Sequence, residues 1–87
     1  MIREAVRSSN IATMGYDPDR LTLEVSFHAH DGLAKVWAYT PVLPVEFDAL
    51  QQPGASIGSA IARFKKHGGI TATLVAEVRD GIETRIL

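Results

Sequence analysis

Eighty-seven residues suffice for one compact domain and not for two, because small domains bury only about 60% of the surface that their unfolded chains expose. With 46% hydrophobic and 22% charged residues the chain is neither disordered nor fibrous, and its net charge of -1 lacks the positive field of a general nucleic-acid binder. The absence of cysteine excludes disulfides, thiolate nucleophiles and Cys-based zinc sites, and fits a reducing, cytoplasmic setting; no apolar run is long enough to suggest a membrane span, and residues 1–10 lack a signal-peptide core.

In chain order, residues 9–14 suit a strand, and residues 15–20 are dense in turn formers around Asp17-Pro18-Asp19. From Leu21 the pattern alternates, with Leu21, Leu23, Val25 and Phe27 on one face and Thr22, Glu24, Ser26 and His28 on the other. A hairpin at Asp31-Gly32 leads to a strand over residues 33–40. If the loop has two residues, Phe27 faces Val36, and Lys35, Trp37 and Tyr39 lie on an exposed polar and aromatic face. If His30 joins the loop, Val25 faces Trp37, Leu23 faces Tyr39, and the rings belong to the core.

Pro44 suits the first turn of a short helix containing Phe47 and Leu50. Ser56 caps a second helix, with Ile57, Ala60, Ile61 and Phe64 on one stripe, Ser59, Arg63 and Lys66 pointing away, and Gly68-Gly69 as its stop. Residues 70–79 alternate as a strand. A three-residue loop at Arg79-Asp80-Gly81, setting Val78 opposite Ile82 and Leu74 opposite Ile86, is the expected turn into a last strand.

Several of these features together resemble the KTSC domain, a module of about 60 residues found at the C-terminus of some lysyl-tRNA synthetases and standing alone in bacteria. The resemblance covers residues 6–66 and rests on Val6-x-Ser8-Ser9-x-Ile11, Gly15-Tyr16-Asp17, Leu21-x-Leu23-x-Val25-x-Phe27, Trp37-x-Tyr39, Pro44, Leu50 and Ala55-Ser56-x-Gly58. Trp37 stands where the family usually has Tyr, and residues 60–62 replace a common aromatic-Asn pair by Ala-Ile-Ala. The resemblance implies an uncharacterised domain for which RNA binding has been proposed. The terminal hairpin, residues 70–87, lies outside it.

Four groups of residues carry candidate chemistry, each beside an ordinary structural reading. Lys35, Trp37 and Tyr39 share a strand face, the arrangement with which RNA-binding sheets stack bases, although a domain this small needs large side chains in its core. Arg63, Lys65 and Lys66 offer phosphate contacts at a helix end, or simply complement the helix dipole. Ser56, Gly58 and Ser59 enter a helix as an anion-binding terminus would, or as an ordinary cap. His28, His30, Asp31 and His67 form no recognised metal motif, and the default for the hairpin histidines is solvation.

No serine sits in a nucleophile elbow, and a chain this short is not expected to enclose a pocket of ~300 Å³ and keep its core. The expectation is therefore one α+β domain over residues 1–87: a small antiparallel sheet of N-terminal strands, two short helices on one face, and a C-terminal hairpin. Its expected role is that of a non-catalytic module with no cofactor or metal, binding RNA through Lys35, Trp37, Tyr39, Arg63, Lys65 and Lys66. The alternative is a protein-interaction or self-association module with Trp37 and Tyr39 in the core, using the terminal strand or the small-residue face at Gly58 and Ala62.

Overall fold

The computed structural model describes residues 1–66 and 69–86, without the side chain of Lys65. Its elements are β1 (Glu4–Ala5), β2 (Ile11–Asp17), β3 (Thr22–Phe27), β4 (Leu33–Thr40), α1 (Pro44–Leu50), α2 (Ile57–Lys66), β5 (Thr71–Arg79) and β6 (Ile82–Arg85). The strands form one antiparallel sheet in chain order from β1 to β6, and both helices are inserted between β4 and β5. The fold is thus α+β, but the sheet is not an N-terminal unit with an appended hairpin. β5 pairs along the whole of β4, from Leu33 opposite Arg79 to Thr40 opposite Thr71. At the other edge β1 adds to β2 from residues that show no strand pattern of their own.

The inward residues of β2, β3 and β4 meet the helices. Ile11, Met14, Leu23, Val25 and Tyr39 form one buried cluster with Val42, Leu50, Ile57, Ala60 and Ile61. Fully burying a Leu, Ile or Val side chain contributes about 2 kcal/mol, so this cluster is the main support of the domain. α1 starts at Pro44, where the Glu46 carboxylate accepts the Leu43 N–H at 2.8 Å. Ser56 caps α2 by accepting the Ser59 N–H at 3.4 Å. Ile57, Ala60 and Ile61 face inward, while Ser59, Arg63 and Lys66 are exposed. Of the glycine stop after α2, Gly68 lies outside the described residues, and Gly69 has φ 99°.

β3 is buried on both faces, with Leu23 and Val25 on the helix side and Glu24 and Ser26 on the other. That second face carries its own apolar cluster of Val36, Ala38, Val75 and Ala76, flanked by Val78. Register shifts between Ile11 and Thr13, and where Val36 faces Ala76 but Trp37 faces Leu74, insert bulges into the sheet. Bulges bend a strand and increase its twist, and here the sheet curls. Glu24 and Ser26, the polar side of an alternating strand, consequently line a concave interior rather than solvent.

The first hairpin combines features of both sequence readings. Its tip is the two-residue turn Asp31-Gly32, φ 54° and 77°, closed by reciprocal bonds between His30 and Leu33 at 2.9 and 3.1 Å. Residues 27–29 then stand opposite residues 34 and 35, and the extra residue restores the register of Val25 with Trp37 and Leu23 with Tyr39. The second hairpin corrects the expected three-residue loop. Asp80-Gly81, φ 51° and 83°, is a two-residue turn that pairs Arg79 with Ile82 and Val78 with Glu83. Two residues of positive φ match the twist of a hairpin, which Asp-Gly permits at low cost. Ile82 therefore sits 71% exposed instead of opposite Val78.

Candidate functional site

Beneath the curl lies an ion-pair network that joins both edges of the sheet. Glu24, with its side chain 8% exposed, accepts Arg3 Nη1 at 3.0 Å, and Arg85 Nη1 and Nη2 at 3.2 and 3.0 Å. Arg3 also pairs with Glu83, which Arg85 reaches at 3.4 Å. Gly15, opposite Glu24, is what lets Arg3 cross β2: a Cβ there would lie 2.5 Å from the Ile2 carbonyl oxygen and 3.1 Å from Arg3 Cγ. Hydrogen bonds from Arg85, and then from Arg3, hold the Glu24 carboxyl below its ordinary value against the opposing effect of burial. Two cations and two anions balance, so the network ties the two ends of the open sheet together through side chains and leaves no uncompensated charge for a ligand.

The aromatic strand falls mainly into the core. Tyr39 is 1% exposed and sets its ring 6.4 Å from that of Phe64. Its hydroxyl has no hydrogen-bond partner among the described residues. This burial removes Tyr39 from any base-stacking surface in this conformation. Trp37 is half-buried and packs against the same cluster, opposite Leu74. Lys35 is exposed and stands opposite Glu77. Arg63 and Lys66 are exposed on α2, and the Lys65 side chain lies outside what is described. α2 leads to Thr71, which pairs with Thr40 at the end of β4 remote from Lys35, so Lys35 stands apart from Arg63 and Lys66.

Two clefts among the described residues are lined by sequence-predicted site residues. The first is polar, about 450 Å³, and lies between residues 7–10 and the start of α2. Ser8, Ser9, Ser56 and Gly58 meet there, so two segments that carry the family resemblance are neighbours. Local partners occupy much of this cleft: Ser56 Oγ donates to Ser59 Oγ at 2.9 Å, and Ser8 Oγ accepts the N–H groups of Asn10 and Ile11 at 3.3 and 3.2 Å. The second is an open groove of about 780 Å³ between α1 and α2, walled by Leu43, Ala49, Leu50, Ala60, Phe64 and Ile70 with Glu46 and Arg63 among its polar lining. A surface cleft of that size was not foreseen from chain length, because two short helices seated side by side leave space between them without any side chain leaving the core. Leu43 is 51% exposed, and next to it along the chain Val45 is 70% exposed.

The hairpin histidines are separate. His28 donates from Nε2 to the Ser8 carbonyl oxygen at 2.8 Å, and the His30 side chain is 95% exposed beside Asp31. His67 lies outside the described residues. Among the described residues no three His, Asp or Glu side chains gather as metal ligands would, and no described helix is long and apolar enough to cross a membrane.

A curled six-stranded antiparallel sheet with two helices on one face defines a small α+β module. The chain belongs to the KTSC domain family, whose model matches residues 7–66. No curated protein matches the chain. The match ends with α2, yet β5, which follows it, supplies the longest strand pairing in the sheet.

Proposed function

We propose that this chain is a non-catalytic protein-interaction module that receives an apolar, acid-bearing segment of another protein in the groove between α1 and α2. The observation that carries this reading is the groove itself, whose volume lies within the range of ligand sites, roughly 300–1,000 Å³, and whose walls are mainly apolar. Arg63 at its lining pairs with no carboxylate among the described residues, whereas Glu46 already accepts the Leu43 N–H. An acidic group on the incoming segment would find its complement in Arg63, with Lys66 exposed on the same helix. The burial of Tyr39 and the separation of Lys35 from the α2 cations weigh against the RNA reading of the same chain.

Selection of a random-peptide library against the immobilised chain tests this. Enriched sequences should place large apolar side chains beside Asp or Glu, and their binding should fall at least tenfold, about 1.4 kcal/mol, in Arg63→Glu and Ala49→Arg. Peptides that bind both variants unchanged would move the site elsewhere. Salt-dependent binding of single-stranded RNA, lost in Lys35→Ala or Lys66→Ala, would replace this reading with the nucleic-acid one.

A further inference from the structure

The free edge of β6 has a self-complementary sequence. β6 and the next residue read Ile82-Glu83-Thr84-Arg85-Ile86, which has the same order of apolar, charged and polar classes in both directions. The two-residue turn makes Arg79 and Ile82 the closing hydrogen-bonded pair, so Ile82, Thr84 and Ile86 direct their backbone groups toward β5; the Ile86 N–H reaches the Val75 carbonyl oxygen at 2.8 Å. Glu83 and Arg85 alternate with them and direct theirs outward. Among the described residues no strand pairs with that side, since the sheet runs open from β1 to β6. All four residues of β6 are exposed, as is Ile86 at 48%.

We propose that β6 pairs antiparallel with β6 of a second copy of this chain about a two-fold axis through Thr84, joining two curled sheets into one. In this register Ile82 faces Ile86 of the second copy, Glu83 faces Arg85 of the second copy, and the two Thr84 residues face each other. The outward backbone groups of Glu83 and Arg85 then become hydrogen-bonded pairs, twice by symmetry. The neighbouring registers that also oppose outward-facing residues place Glu83 against Glu83 or Arg85 against Arg85. Like charges directly opposite are destabilising, so charge alone selects the register through Thr84.

The two sides of the sheet agree with this pairing. On the helix-bearing face, Ile82 and Ile86 from both copies would cover each other, with Ile86 beside half-buried Leu74 on β5. On the concave face, Glu83 and Arg85 of the second copy would extend the existing network around Arg3 and Glu24. β1, the other edge, has two residues and no comparable pattern, which favours this closed two-fold contact over head-to-tail chains. None of these residues lines the groove between the helices, so this pairing and the groove reading can fail separately.

The wild-type chain is expected to show a monomer–dimer equilibrium by sedimentation velocity as its concentration rises. Because the sequence contains no cysteine, single-cysteine variants report the register without background. Thr84→Cys, at a non-hydrogen-bonded position on the axis where facing Cβ atoms are about 4.5–5.5 Å apart, should oxidise to a covalent dimer far faster than Ile82→Cys. Glu83→Arg and Arg85→Glu should each lose self-association, and mixing the two variants should restore a dimer, because each then presents the charges the other lacks. A wild-type chain that stays monomeric at every concentration would overturn the proposal. So would equal cross-linking of the two cysteine variants.

Discussion

Glu24 shows how one residue can change role when a sheet curls. Its place in an alternating strand marks it for solvent, yet only 8% of its side chain is exposed, and two arginines from opposite ends of the chain converge on it. The arginines favour the charged carboxylate more than burial disfavours it, so its folded value lies below its unfolded one. A group of this kind adds stability above its unfolded value, near pH 4.3, and that stability is lost as pH falls through the folded value. Glu83 shifts in the same direction, chiefly through its bond from Arg3, and sharpens the loss. Urea unfolding as a function of pH should therefore show stability declining below about pH 4. Glu24→Gln should lower stability at pH 7 by about 2–3 kcal/mol, since it leaves two arginines short of a partner, and should flatten the acid decline. An unchanged acid limb in the variant would mean that other carboxylates set it.

Among the elements, β1 depends most on a single neighbour. It pairs through only Glu4 with Met14 and Ala5 with Thr13, and it lies against Gly15, where a side chain would meet the backbone of Ile2. Gly15→Ala should push residues 2–5 off the sheet and part Arg3 from Glu24, a cost of about 2–4 kcal/mol. Hydrogen exchange should quicken at Val6, whose N–H is bonded to the Ala12 carbonyl, while the helix amides stay protected. Nothing in residues 1–8 marks a strand, because its support is the distant Glu24 and not its own pattern. The elements whose support is local were legible in sequence: the alternation of β3, the start of α1 at Pro44, and the capped stripe of α2. Hairpin registers were legible only in part, since Asp-Gly indicates a turn but the extra residue at 27–29 is set by the packing of Trp37 and Tyr39. The same limit applies to the site. The positions of Arg63 and Lys66 on the outer side of α2 follow from helical spacing, but the groove beside Arg63 arises from how two helices seat on a curled sheet, which no local pattern encodes.

For the molecule as a whole, the residues matched by the family and the residues that complete the fold are different sets. The match stops at residue 66, yet β5 pairs with β4 over eight positions and brings Val75 and Ala76 against Val36 and Ala38. β6 then returns Arg85 to Glu24. A chain cut after residue 69 would keep the helices and their cluster but leave Val36 and Ala38 uncovered, the β4 edge unpaired and Glu24 without Arg85. An exposed apolar edge of that kind invites association with other chains, and a six-stranded sheet that loses two strands also loses much of its cooperative support. The truncated protein should therefore show no cooperative thermal transition and should aggregate, whereas the full chain melts cooperatively. The decisive comparison adds residues 70–87 back as a separate peptide. Recovery of a cooperative melt would show that the terminal hairpin completes the core by packing, and a truncated chain that melts cooperatively alone would place the folding unit within the matched segment.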